Sequence, residues 1–288
     1  MSTSLVDWIC YQISDTNFPA GGLGNSLGLE SALSHGFTKK GRESLHSFSL
    51  LILNQNISQI VPFVLSGYDC VQRRYFDSGA TLTNEKKTNT KVNSDKMSDL
   101  CKLDQICHAM SLNESALRSS LNQGKCFLRA AKSAFEGFGS KHVSLDQFDS
   151  IVADIYHAMD AFEMESGQGE KMRGHYPVIF GAISAALQLG MSKAVQLFMR
   201  CLIRDLICCS VKLGMIGPLE GGNLQLDLSG AVEEMLTAID LENREKGSDD
   251  DDTVFGGLFL GKTPASITPL MDHIQARHDA LYSRLFNS

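Results

Sequence analysis

The chain has 288 residues, a net charge of −7, 43% hydrophobic and 20% charged residues. These are ordinary globular proportions, and the length suffices for a sizeable core in one or two domains. The acidic balance argues against duplex nucleic acid as the main partner, because that binding rests on neutralising phosphates with Lys and Arg.

Leu5, Trp8, Ile9 and Ile13 space a short amphipathic helix, which Ser14-Asp15-Thr16-Asn17 stops. Phe18-Pro19-Ala20-Gly21-Gly22-Leu23-Gly24-Asn25-Ser26-Leu27-Gly28-Leu29-Glu30 then reads as a glycine-rich loop opening into a helix through Leu33, with Gly36 as its C-cap. Gly41 precedes a helix from Arg42 to about Ile57, with Leu45, Phe48, Leu51 and Ile52 expected on one face. Pro62 sits just inside another helix, running to about Phe76. Residues 78–98 hold Thr, Asn, Lys and Ser with almost no large apolar side chain. Such a segment buries too little to offset its ordering entropy, so a disordered insertion is expected there.

Helical spacing resumes with Leu100, Leu103, Ile106, Cys107 and Met110. Ser111-Leu112-Asn113-Glu114 has the form of a capping box for a helix to about Phe138, and Ser144-Leu145-Asp146-Gln147 that of a second. Leu145, Phe148, Ile151, Val152, Ile155, Met159 and Phe162 form the clearest amphipathic stripe. The charge-free run from Tyr176 to Met191 is short for a bilayer and contains Pro177, Gly181 and Gly190. It is expected to be a buried helix to Leu189 capped by Gly190, and no membrane partner is expected. Lys193 to about Lys212 is apolar nearly all round, so either its own fold or a second subunit should bury it. Gly214 to Gly222 breaks the pattern, and Ser229 to about Lys246 restores it. An acidic loop spans 247–253, with Asp249 to Asp252 in a row. The last helix is expected from about Leu270 into the tail, where Leu281, Tyr282, Leu285 and Phe286 stand at helical spacing between Arg277 and Arg284. The whole is expected to be all-α: one helical-bundle-like domain of about ten helices over 1–288, with 270–288 as C-terminal helix and partner-binding tail.

Candidate chemistry is sparse. Gly22-Leu23-Gly24-Asn25-Ser26-Leu27-Gly28 follows a helix rather than a strand, and no Lys follows it. A tight turn with close helix packing is therefore favoured over a phosphate cradle. Cys107-His108, Cys208-Cys209 and the His273/His278 pair lack ligand spacing, since adjacent helical residues point about 100° apart. Glu163 and Glu165, two apart, do not face each other, and no Ser sits in G-x-S-x-G. The expectation is a non-enzyme without a metal of its own. With eight cysteines, no C-x-x-C pair and no signal-peptide pattern, it is also expected to be cytoplasmic. A terminus rich in aromatic residues and Arg either closes its own core or anchors a partner.

Taken in order, several segments resemble the UreF-type urease accessory proteins. They are Phe18-Pro19-Ala20-Gly21-Gly22 with Ser26-Leu27-Gly28-Leu29-Glu30, Asn113-Glu114, His175-Tyr176-Pro177-Val178-Ile179-Phe180-Gly181, Gly217-Pro218-Leu219, and Arg277-His278 with Tyr282-Ser283-Arg284-Leu285-Phe286 and Ser288. The likeness covers nearly the whole chain outside 78–98. That insertion and the acidic loop are similar to those of plant members. Two departures stand out. Leu23 occupies the place of an aromatic, and Pro218-Leu219-Glu220-Gly221 replaces Pro-Leu-Gly-Gln.

The resemblance implies an all-α protein that assembles with the accessory protein UreD (also called UreH) and the GTPase UreG to deliver nickel to apo-urease. Nickel and GTP would be handled by those partners, with none bound directly here, and the UreG GTPase cycle would be modulated. It implies partner contacts through Arg277, His278, Tyr282, Ser283, Arg284, Leu285, Phe286 and Ser288. A second partner surface would involve Pro19, Gly21, Gly22, Glu30, Pro218 and Glu220. Members tend to be dimeric, which makes Arg200 and Arg204 candidates for a dimer seam. The alternative is a helical metal-binding or enzymatic protein using His175, His273, His278 and the cysteines.

Overall fold

A computed structural model describes residues 4–77, 97–137, 145, 147–160, 172–245, 258–259 and 263–287. Its helices are α1 (Leu5–Ser14), α2 (Leu29–Ser34), α3 (Arg42–Gln59), α4 (Val61–Val71), α5 (Ser98–Met110), α6 (Glu114–Phe135), α7 (Phe148–Asp160), α8 (Tyr176–Ala186), α9 (Met191–Lys212), α10 (Pro218–Glu245) and α11 (Pro269–Ala276). A π-helical turn at Gln72–Phe76 extends α4, and 3-10 turns occupy Gly22–Gly24 and Arg277–Ala280. No strand occurs among the described residues, in accord with the all-α expectation. The expected insertion (78–96 of it), the acidic run at 247–253, Ser144, Phe162 and Ser288 lie outside the described residues.

Helix α8 is the axis, with every residue from Tyr176 to Ala186 buried. Helix α4 lies along one side of it, α6 along another, and α7 and α9 also touch it. The α4–α8 approach is close because Gly181 has no side chain: a Cβ there would lie 2.1 Å from the Val64 carbonyl oxygen. Phe127 of α6 stacks on Phe180 at 5.0 Å, and Phe198 of α9 meets Phe180 edge-on at 5.3 Å. Burying each such ring contributes on the order of 2–3 kcal/mol. Asp104 of α5 holds the entry to α8, accepting backbone N–H bonds from Arg173 (2.5 Å), Gly174 (3.2 Å) and His175 (2.7 Å). The last of these is the N–H of the N-cap residue, a donor that the helix start leaves unpaired.

The very apolar α9 is covered by its own chain, with α1, α2, α3, α4, α8 and α10 around it. The stretch Arg42–Phe76 is long and apolar enough by composition to cross a membrane. It is interrupted at Ile60, however, and Leu45, Phe48, Leu53, Phe63 and Val64 are buried inside the fold.

Several boundaries differ from the sequence expectation. The cap of α6 is Asn113, whose Oδ1 accepts from the Ala116 N–H at 2.7 Å, while the Ser111 hydroxyl bonds back to the Cys107 carbonyl. Helix α8 closes at Gln188 (φ 54°), with the Leu189 N–H on the Ser184 carbonyl, and Gly190 instead starts α9. Helix α10 starts at Pro218 rather than Ser229. Its buried Leu224, Leu228 and Val232 carry the helix face, and Gly221 packs against Ile207 instead of breaking the turn. Leu51 faces outward, 47% exposed, away from Leu45, Phe48 and Ile52. The last helix ends at Ala276 and its 3-10 turn at Ala280; Leu281 is extended (φ −67°, ψ 133°), so the tail is not helical.

Candidate partner-binding site

The glycine-rich loop and the C-terminal tail, far apart in sequence, form one site over the end of α9. In the loop, Gly22 lies against Asp205 so closely that a Cβ would sit 1.8 Å from Asp205 Oδ2. Gly28 takes a left-handed φ of 80° and would place a Cβ 2.8 Å from Gln275 of α11. The loop therefore uses its glycines for close packing, and it faces a carboxylate where a phosphate cradle would offer N–H groups. Leu27 adds a strained left-handed turn (φ 52°) just before α2.

That turn delivers Glu30, whose side chain is buried. Its Oε2 accepts from His278 Nε2 at 3.0 Å and from the Phe286 N–H at 3.1 Å, and its Oε1 accepts from the Leu285 N–H at 2.6 Å. The Asn287 N–H reaches the Gly24 carbonyl at 2.9 Å. Lys212, at the end of α9, donates to the Leu23 carbonyl and sits 5.6 Å over the Phe286 ring. Asp279 pairs with Arg118 of α6 at 2.8 Å and with Arg284 at 3.1 Å. These two ion pairs are half-exposed and serve as geometry more than energy.

The tail divides residue by residue between core and surface. Phe286 and His278 are buried, Leu281 is half-buried, and Tyr282, Ser283, Arg284, Leu285 and Arg277 face solvent. Tyr282 is fully exposed and Leu285 is 61% exposed. Of the second group of sequence candidates, Pro19 and Gly21 are exposed at the loop, Gly22 and Glu30 are buried, and Pro218 and Glu220 stand on the exposed first turn of α10. Glu30 is accordingly not a surface residue: its carboxylate is used inside the chain.

The proposed seam residues also separate. Arg204 is buried, paired with Asp205 at 2.8 Å, and donates to the carbonyls of Ile13 and Asp15. It ties α1 to α9 and cannot face a second subunit. Arg200 is exposed, in a groove with Tyr11, Lys193 and Glu233.

The candidate metal residues are dispersed. His278 sits on Glu30, His273 is exposed, and His175 is buried between Ser120 Oγ (3.0 Å) and His108 Nδ1 (3.1 Å). Burial pushes the Cys201 thiol up to about 12 and those of Cys107 and Cys209 well up, away from the thiolate form a metal needs. No three His, Cys, Asp or Glu side chains converge among the described residues. Sequence reasoning did not anticipate Asp104, Asp205 or Lys212 as organisers. Their partners lie far off in the chain, and lone charges on apolar helices were the available signal.

The described residues are all-α at this site, with an intramolecularly docked tail that carries outward apolar side chains. The chain belongs to the UreF family, whose model matches residues 40–229. The matched span covers the helical core and leaves the glycine-rich loop and the tail outside it. Pairwise, the chain is similar to urease accessory protein 6 of Cryptococcus neoformans var. grubii, at 26% identity over 97% of this chain and 96% of that protein. It is also similar to urease accessory protein F of Oryza sativa subsp. indica, at 25% identity over 97% of this chain and 84% of that protein. The Arabidopsis thaliana protein of that name is 23% identical over 100% of this chain and 95% of its own length. Fungal and plant relatives therefore stand at similar distances.

Proposed function

We propose that this chain is a urease accessory protein that acts by binding rather than by catalysis, presenting its C-terminal tail to a UreD-type partner. The observation that carries the reading is the split of the tail: backbone and Phe286 are held inward while Tyr282 and Leu285 point to solvent. An ordered backbone lowers the entropic cost of capture, and exposed aromatic and apolar side chains supply the contact energy. Membership of the UreF family and relatives named as urease accessory proteins support the assignment. In this reading the assembled pair recruits a UreG-type GTPase and apo-urease and modulates the GTPase cycle. Nickel is cargo, and GTP is bound by the partner. A homodimer seam belongs near exposed Arg200, since Arg204 is committed internally. None of the eight cysteines is in a disulfide, which fits a reducing compartment such as the cytoplasm.

The test is copurification of the full chain with a UreD-type protein, comparing wild type with the double substitution Tyr282→Ala and Leu285→Ser. Both side chains are exposed, so the melting temperature should stay within about 2 °C while capture falls at least tenfold. Capture equal to wild type would remove the tail from the interface.

A further inference from the structure

Helix α10 packs on one side only. Its inner face carries the buried Leu224, Leu228 and Val232 and lies on α9 and α3. On the opposite side Leu219 is 91% exposed and Leu226 is 73% exposed. The two stand seven residues apart, so they share one line of the helix, about 10 Å from each other along its axis. An outward apolar line with a seven-residue period is the pattern of a helix–helix seam.

The neighbouring positions repeat with the same period. Glu220, Asp227 and Glu234 run beside the leucine line and are all exposed. Asp227 is met by Arg42 of α3, whereas Glu220 and Glu234 have no ion pair among the described residues. From Pro218 to Asn243 the sequence holds no Lys, Arg or His. Next to the leucines stand Gly222 and Gly230, both exposed. A Cβ on either would meet nothing within 4 Å, and neither has a positive φ. Glycine weakens a helix interior, and the fold draws no close packing from these two, unlike Gly221 against Ile207. They leave hollows beside the exposed leucines, which together are the knobs and holes that a second helix needs.

The carboxylate edge decides the kind of partner. It repels an anionic lipid surface, a nucleic acid, or a second copy of the same edge laid against it. Lys or Arg beside an apolar seam complements it. We propose that the outer face of α10, from Leu219 to Gly230, is a docking surface for one helix of a partner protein, a helix whose apolar seam is flanked by Lys or Arg. Pro218 and Glu220, expected in a second partner surface, sit at its N-terminal end. No residue of the tail belongs to it, so it stands whether or not the tail captures a UreD-type protein.

The experiment titrates the full-length protein with three labelled synthetic helices, read by fluorescence anisotropy. One has Leu at a and d and Lys at e and g. The second keeps the leucines and has Glu at e and g, and the third keeps the lysines and has Ser at a and d. The Leu/Lys helix should bind roughly tenfold tighter than either control. Leu219→Ser with Leu226→Ser should weaken it roughly tenfold. Glu220→Lys with Glu234→Lys should weaken it as much and flatten its salt dependence. Both pairs are exposed, so circular dichroism and melting should match wild type, and if one pair fails to fold the other carries the test. A photo-crosslinker on the helix should map to residues 218–237. Binding that neither pair weakens, crosslinks that map elsewhere, or no binding of the Leu/Lys helix overturns the proposal. So does a wild type that sediments as a dimer while Leu219→Ser with Leu226→Ser sediments as a monomer, because a second copy then covers the face.

Discussion

His175 is fully buried and engaged through both ring nitrogens, by Ser120 and His108. Burial, and then the nearby His108 and Arg173, lower its pKa to about 4. Its folded value lies below the unfolded one near 6.5, so the unfolded chain binds the extra proton between those values. The stability this group contributes is complete above about pH 6.5 and is lost as pH falls toward 4, by about 3 kcal/mol at most. Buried Asp104 and Asp205, whose pKa values burial raises, act in the opposite sense. The isolated effect is therefore the difference between wild type and His175→Gln. Urea unfolding at pH 7 and pH 5 should show wild type losing more stability than the variant, and equal losses would mean His175 is not held uncharged.

At the scale of elements, periodicity found nearly every helix because apolar faces repeat every turn. It failed at ends, where single hydrogen bonds decide. Asn113 outcompetes Ser111 as a cap, Gln188 takes the left-handed position that glycine usually fills, and Pro218 starts a helix through two glycines. The tail is the clearest case. Its Leu281, Tyr282, Leu285 and Phe286 have helical spacing, yet Glu30 draws two consecutive N–H groups out of any helical ladder. That contact is invisible in sequence because it joins residues more than 240 apart. The residues of the site were legible, through the loop and tail motifs, whereas the inward role of Glu30 and the internal use of Arg204 were not. A chain truncated after Ala280 should keep its helical circular dichroism, since residues 281–287 contribute no helix. It should melt a few degrees lower, because burial of Phe286, worth about 2 kcal/mol, is lost. It should also no longer capture the UreD-type partner. Loss of most helicity would instead make the tail part of the folding core.

For the molecule as a whole, α8 is the shared wall against which α4, α6, α7 and α9 pack, so its tolerance for added volume is small. In Gly181→Ala the new methyl meets the Val64 carbonyl and the Tyr68 amide, both backbone, neither able to rotate aside. The expected cost is about 2–3 kcal/mol, lowering the melting temperature by roughly 4–12 °C in a single cooperative transition. An unchanged melting temperature would mean the α4–α8 contact is looser than its geometry.

The pairing of residues 24–30 with 278–287 also has a consequence in time. Loop closure across nearly the whole chain cannot precede the synthesis of its end. While the protein is being made, Glu30 emerges early and stays hydrated, and the strained turn at Leu27 has nothing to brace it. Only the emergence of residues 278–286 supplies the donors, so a polypeptide that stops short of them carries an unfilled carboxylate at Glu30 where one that extends past them carries the docked segment.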